Sequence, residues 1–578
     1  MQKKIIRRDV DATKSFVSQN LHPILQRVYA VRGVTTDVEL ERGLERLLPF
    51  HELLNIDKAA ARLAEALQKQ ERILIVGDFD ADGATSTALA MRALQAFGAL
   101  HLDFLVPNRF AFGYGLTPEL VQVAVTDYTP ALIITVDNGI ASHAGVTAAK
   151  AAGIAVIVTD HHLPALTLPD ADVIVNPNQP DDKFPSKNLA GVGVIFYVML
   201  ALRRQLTTLN WFAENAIPEP NMSRFLDLVA LGTVADVVPL DHNNRILVFQ
   251  GLRRIRAGQC VPGISALLEL AGRNQQRLVA TDLGFVVGPR LNAAGRLDDM
   301  ALGINCLLCD DAGQSREMAS VLNDLNDERR VIEQDMQEQA LTILNRMQPE
   351  QKAMPVGICL FDEQWHQGVI GILASRIKEK FHRPVIAFAP STGEEIKGSA
   401  RSIPGLHIRD ALAQIAVQYP TLIDKFGGHA MAAGLTLSRG AFNDFAKAFD
   451  EVVTAQLTEA QLHNFLVSDG ELAENELTLD VAEVLRNAGP WGQAFPEPVF
   501  DGDFQILEQR VVGSRHLKMV LTKTNFQPID AIAFNVDLNM WPNHRCERIH
   551  AAFRVDVNEF RGRRTVQLII EQLAALTA

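Results

Sequence analysis

Gly77-Asp78-Phe79-Asp80-Ala81-Asp82-Gly83, directly behind the apolar run Arg72-Ile73-Leu74-Ile75-Val76, decides how this chain is read. The run has the length and composition of a buried strand. The small residues after it, Gly83-Ala-Thr-Ser-Thr-Ala-Leu-Ala90, suit the start of a helix. Open α/β sheets bind ligands at the carboxyl ends of their parallel strands. Three carboxylates placed there repel one another unless a cation sits among them, and hard divalent cations prefer oxygen ligands. Asp-x-Asp-x-Asp-Gly also begins an EF-hand loop. That loop follows a helix and needs a glutamate at its twelfth position, which counted from Asp78 is Leu89. The calcium loop is therefore set aside.

A length of 578 residues implies about three to five domains. Hydrophobic content of 48% with 21% charged residues is ordinary globular material with ample core. No apolar stretch is long enough to span a bilayer, and Met1-Gln-Lys-Lys-Ile-Ile-Arg-Arg8 lacks the apolar core of a signal peptide. A cytoplasmic protein with no membrane partner is expected. The five cysteines imply no disulfide framework. Cys306-x-x-Cys309 has no second ligand pair nearby and is expected to be two buried structural thiols. The net charge of -13 does not favour nucleic acid, yet only the local field steers a ligand, so charge alone decides neither way.

The chain divides by pattern. Residues 1–60 read as short helices. Residues 61–309 alternate strand runs with helical patterns, the strand candidates being Ile73–Val76, Leu102–Val106, Leu132–Val136, Val156–Thr159 and Val173–Val175. That alternation predicts a mostly parallel sheet. Residues 310–348 form a long charged helical pattern that bridges two domains. A second α/β unit covers 349–460, with strand candidates Val356–Phe361 and Val385–Phe388. Residues 461–578 carry short strand-like runs that suit a small β-barrel or sandwich, with an OB-fold as one candidate.

More polar groups fall where strands are expected to end. Leu132–Val136 runs into Asp137-Asn138-Gly139, and Val156–Thr159 into Asp160-His161-His162. Leu231-Gly-Thr-Val-Ala-Asp236 adds an acid in an apolar setting. Taken singly, each has an ordinary reading as a turn, a satisfied core histidine or a helix cap. Jointly they converge on one sheet edge. Several carboxylates with one imidazole suit two Mn²⁺ or Mg²⁺ ions rather than structural zinc. Two such ions clamp the attacking and leaving oxygens of a phosphoryl displacement, so phosphoester hydrolysis is the expected reaction class.

Asp78-x-Asp80-x-Asp82-Gly, Asp137-Asn-Gly, Asp160-His161-His162 and Gly232-Thr-Val-Ala-Asp236, in that order, resemble the DHH phosphoesterase superfamily, and within it the bacterial single-strand-specific DNA exonucleases. The resemblance extends over essentially the whole chain. It implies a DHH catalytic domain, a DHHA1 substrate-binding domain and an OB-fold. It implies that Asp80 with Asp78 holds a first ion, that Asp82, His161 and Asp236 hold a second, and that Asp137 bridges them. His162 would contact the scissile phosphate. Many members carry a histidine four residues before the first paired Asp; this chain has Val76 there, and Asp78 stands in.

Phosphate and DNA contacts are implied for Phe426-Gly427-Gly428-His429, for His366, and for Ser399, Arg401 and Ser402 at turns beside strands. Arg290, Asn292 and Arg296 are expected in a tight loop, and Arg109 near the 5′-end pocket. Phe112 could stack on a base or be buried. The implied activity is release of 5′-mononucleotides from single-stranded DNA, 5′ to 3′, in repair and recombination. A monomer is implied, with a single-strand-binding protein and a helicase as partners. The alternatives are a DHH enzyme for small phosphoesters and a non-catalytic DNA-binding scaffold. Preferred metal, processivity and action on RNA stay open.

Overall fold

The computed structural model describes residues 3–8, 18, 20–108, 112–347, 354–523, 527–538, 540–560 and 562–576. Strand β1 (Lys4–Arg7) opens the chain, so the first segment is not wholly helical: its paired isoleucines add parallel to Phe465–Ser468. The catalytic unit follows with β2 (Ile73–Val76), β3 (Leu102–Leu105), β4 (Leu132–Val136), β5 (Ala155–Thr159) and β6 (Val173–Val175). Their order is β3-β2-β4-β5-β6 and every pairing is parallel.

Alternation along these strands builds two cores. Ile73, Ile75, Ile134 and Ile157 face the helices Ala81–Ala96 and Gly191–Thr208. Leu74, Val76, Ile133 and Val158 face the helices Pro118–Val123 and His143–Ala151. Strands covered on both faces need apolar residues at nearly every position, which is why β2, β4, β5 and β6 read as apolar runs, whereas the edge strand β3 tolerates the exposed Asp103.

The second unit has β7 (Ile358–Phe361), β8 (Val385–Pro390), β9 (Glu395–Arg401), β10 (Lys425–Gly428) and β11 (Ala432–Ser438), ordered β10-β11-β9-β8-β7. Only β7 and β8 pair in parallel. The helix Ala312–Met347 connects the two units. Ala319 and Leu322 enter the catalytic core, while Met336, Ala340 and Leu344 pack under Ile358 and Leu360 of β7.

Strand β12 (Phe465–Ser468), the partner of β1, leads into a closed barrel of β13 (Phe500–Val512), β14 (His516–Thr522), β15 (Ile529–Ala533), β16 (Arg548–Phe560) and β17 (Arg563–Ala575). Its order is β13-β14-β15-β17-β16, and only β15 and β17 run parallel. The barrel core of Phe500, Phe504, Phe553 and Leu568 is continuous with the catalytic core through the helix Leu479–Ala488. Among the described residues no helix is long and apolar enough to cross a membrane.

Four further expectations are corrected. Leu231–Asp236 does not end a strand: the helix Leu226–Ala235 is apolar on all sides and buried, so its periodicity carries no signature. Residues 288–297 are a helix, not a loop, because Pro289 occupies a first-turn position where its missing N–H costs nothing. Ser399 and Arg401 lie within β9. Cys306 is buried, but Cys309 is only partly so and sits just past the helix Ala301–Leu308.

An ion pair fastens the barrel. Arg32 meets Asp469 at 2.9 Å with both side chains 1% exposed, and Arg8 approaches the same carboxylate at 3.2 Å. Asp469→Ala strands the buried Arg32 and should cost about 3–5 kcal/mol. Hydrogen exchange across β1 and β12 should rise while that of β4 stays protected.

Candidate metal centre

Asp78 and Asp80 leave the end of β2. Asp80 caps the helix Ala81–Ala96, its carboxylate accepting from the N–H groups of Asp82 (3.0 Å) and Gly83 (3.1 Å). Asp82, in the first turn, is buried and points the other way. Its two oxygens accept from the N–H groups of Gly191 (2.6 Å) and Val192 (3.0 Å), which open the helix Gly191–Thr208. A helix N-terminus favours an anion, so two helices hold this carboxylate.

Asp137 follows β4 in the left-handed backbone region, at φ 62°, which Asp tolerates better than most residues. Asn138 donates to the carbonyls of Val76 (3.0 Å) and Val136 (2.9 Å), tying the ends of β2 and β4 together. His161 and His162 leave β5, and Asp236 caps the C-terminal end of the helix Leu226–Ala235.

These side chains converge. Oxygens of Asp78, Asp80 and Asp137 lie within 4.8 Å of one another, as do ligand atoms of Asp82, His161 and Asp236. His161 Nε2 is 3.1 Å from Asp137 Oδ1, 3.5 Å from Asp236 and 4.0 Å from Asp82. Asp137 Oδ1 and His161 Nε2 are buried and neither has a hydrogen-bond partner. Two buried donor atoms 3.1 Å apart, each left without a hydrogen-bond partner, fit a divalent cation that would displace the proton Asp137 otherwise holds.

Protonation follows from the same crowding. Burial, then the Asp80 charge, pushes Asp82 up to about 7. Asp137 and Asp236 are held well above the carboxylate range, by burial and then by Asp82. Burial and the neighbouring His162 push His161 down to about 3, so it is a neutral ligand at pH 7. His162 behaves oppositely. Burial opposes its charge, but Asp160, 2.7 Å from Nδ1, outweighs that and raises it to about 9. Asp160 is drawn down to about 2: burial raises it, and His162 and the N–H groups of Ile140 and His161 overcome the rise.

The second unit reaches into this edge. The His429 ring stacks on His162 at 5.8 Å and 19° from the turn between β10 and β11, with Gly427 and Gly428 ending β10 beside it. Asn292 accepts from the Ala81 N–H at 2.7 Å, which props the metal-binding helix. Arg296 donates to the Gly368 carbonyl at 3.0 Å and joins the two α/β units; the Gly368 N–H in turn donates to His366.

Other candidates are spent elsewhere. Arg290 is buried against the connecting helix, donating to Asn323 and Val286. Ser402 is buried and donates to the Leu406 carbonyl, while Arg401 donates to Ser399. Phe112 packs partly buried against the second core of the catalytic sheet. Arg109 lies outside the described residues.

Sequence reasoning missed Tyr114, whose hydroxyl lies 3.3 Å from the Asp137 carbonyl and 3.4 Å from His162. It also missed the two glycines that let helices approach. A Cβ on Gly191 would lie 2.5 Å from Asp137 Cβ, and one on Gly232 would lie 2.8 Å from Asp82 Oδ1. Small residues set in otherwise bulky apolar helices were the available signal.

Known proteins carry the same plan. The chain matches the models of the DHH family N-terminal domain over 72–233, the DHHA1 domain over 353–455 and the RecJ OB domain over 468–572. The single-stranded-DNA-specific exonuclease RecJ of Escherichia coli K12 is 54% identical over 573 residues, covering 99% of each chain. That of Haemophilus influenzae is 49% identical over 576 residues, again 99% of each. The crystal structure of Thermus thermophilus RecJ in complex with Mn²⁺ matches with a TM-score of 0.80 at 30% identity, covering 100% of this chain and 80% of its own.

Two outcomes follow from the geometry. Gly191→Ala and Gly232→Ala should each weaken Mn²⁺ binding about 10–100-fold, with circular dichroism unchanged. The raised folded-state value of Asp82 means that it stabilises the metal-free protein while protonated, and that this stabilisation is lost as pH rises through about 7; Asp137 and Asp236 act in the same direction. Bound cations need the ionised form. The Mn²⁺-induced rise in melting temperature should therefore be larger at pH 8 than at pH 6.

Proposed function

This chain belongs to the RecJ family of the DHH phosphoesterase superfamily, and we propose that it is a single-stranded-DNA-specific exonuclease that hydrolyses phosphodiester bonds with two Mn²⁺ or Mg²⁺ ions. The observation that carries the reading is the pair of donor sets, Asp78/Asp80/Asp137 and Asp82/His161/Asp236, closed across Asp137 and His161. Bound divalent ions would supply electrophilic stabilisation of the phosphate and activation of water.

The chain's own residues do the rest. Asp82 is pre-oriented by the Gly191 and Val192 N–H groups, so it needs no rearrangement to serve as a ligand. His161, neutral, offers Nε2. His162, held as an imidazolium by Asp160, places a fixed positive charge where negative charge gathers on a cleaved phosphodiester. His429 brings a second imidazole from the opposite unit, so a strand lying between the units would meet both.

Passage of a single strand between the two α/β units, which meet at His162 and His429, is part of the reading, as is exclusion of duplex. The 5′ to 3′ polarity, release of 5′-mononucleotides, and repair and recombination roles are part of the reading and rest on the family resemblance. So do the monomeric state, the cytoplasmic setting, and the single-strand-binding protein and helicase as partners.

Digestion of single-stranded DNA labelled at the 5′ or 3′ end tests it. Immediate release of labelled mononucleotide from the 5′ end is expected, reduced about 10³-fold or more by Asp137→Ala. A metal-loaded protein that leaves the strand intact would refute it. Asp160→Asn should lower turnover about 10²-fold and flatten the alkaline limb near pH 9, because His162 then loses the partner that keeps it charged.

A further inference from the structure

Away from the metal centre, a cavity of about 390 Å³ lies where the catalytic unit meets the barrel. Its walls come from the end of the helix His242–Arg256, the turn around residues 272–282, the segment after the helix Leu479–Ala488, and β16. No residue of the metal centre lines it.

Five arginines line it. Three are neutralised: Arg273 by Asp282 at 3.5 Å, Arg277 by Glu559, and Arg554 by Glu497 and Glu571, each at 2.7 Å. Arg256 and Arg486 are different. Arg256 Nε donates to the Leu278 carbonyl at 2.7 Å and Arg486 Nη2 to the Arg277 carbonyl at 3.0 Å. Neither has a carboxylate within ion-pair distance among the described residues. A guanidinium has five N–H donors, so most of theirs remain available.

The remaining acid of the wall, Asp556, accepts from the Val557 N–H. Arg42, stacked over the lining residue Phe249 at 4.8 Å and donating to the Asn487 and Ala488 carbonyls, places a further cation behind the wall. Burial, then the charges of Arg486 and Arg42, lowers the proton affinity of Arg256, with Asp282 only partly offsetting them. Holding like charges together in a half-buried site costs stability unless an anion joins them.

A guanidinium fork matches two oxygens of a phosphate, and two forks converging on one cavity can share a single phosphate group. The volume lies in the range of small-ligand sites, about 300–1,000 Å³. We propose that this junction cavity is a phosphate-recognising site sized for a nucleoside monophosphate, gripped by Arg256 and Arg486. Because its walls belong to both the catalytic unit and the barrel, occupancy would tie the two together.

The phosphate could belong to a free nucleotide or to a DNA strand, and calorimetry on the metal-free full chain separates them. Titration with deoxyadenosine 5′-monophosphate should give saturable binding, and deoxyadenosine none. Arg486→Gln and Arg256→Gln should each weaken the nucleotide at least tenfold; Arg486 is partly exposed, so its variant, with thermal melting as the check, guards against a folding defect at Arg256. No nucleotide binding by the wild type, equal binding of deoxyadenosine, or undiminished binding by Arg486→Gln would overturn the proposal. So would a thymidine oligonucleotide that binds in an Arg486-dependent way where the mononucleotide does not.

Discussion

Negative charge held out of water is the constraint on which this structure depends. Asp78, Asp82 and Asp137 are buried at one edge of a parallel sheet, and Asp236 stands beside them. Ionised together without a cation, they would repel at close range in a medium that screens them poorly. The fold manages this in two ways. Fixed dipoles, the N–H groups of Gly191 and Val192, stabilise Asp82, while Asp137 and Asp236 hold their protons until a cation displaces them. Metal affinity, proton release and apo stability are consequently one coupled property rather than three.

Around this edge, paired histidines are given opposite tasks by their surroundings. His161 faces the carboxylates but is largely buried and lies next to a charged neighbour, and stays neutral. His162 is hydrogen-bonded to Asp160, which also accepts backbone N–H bonds, and stays charged. Two adjacent imidazoles thus become a ligand and a cation. Pushing neighbouring titratable groups apart in this way is how a site runs different chemistry on like residues at one pH.

The remaining architecture brings distant parts to that edge. The helix Ala312–Met347, about 54 Å long at 1.5 Å per residue, is packed into a core at each end, so the second unit is placed rather than tethered. His429 reaches His162 through this placement. Arg32 and Asp469 lock the barrel to the N-terminal segment in the same spirit, a buried pair whose geometry is specific even where its net stabilisation is modest.

Much was legible in the chain itself. The five strands of the catalytic sheet stand within a residue of where strand-like runs place them; burial on both faces keeps β2, β4, β5 and β6 almost wholly apolar, while the edge strand β3 carries the exposed Asp103. The acidic motifs were legible because carboxylates after buried strands have few other uses. What the sequence could not show depended on approach between distant segments. Asp236 comes from a buried helix whose apolar pattern has no period to read. Asn292 props a helix two hundred residues earlier, and Arg290 is taken by the connecting helix rather than left free. Gly191 and Gly232 matter only because other segments come within a Cβ of them. Local chemistry and periodicity determine which residues can bind a metal and which elements carry them; only tertiary packing decides which of those residues face one another, since that is set by contacts across the whole chain and not by neighbours in sequence.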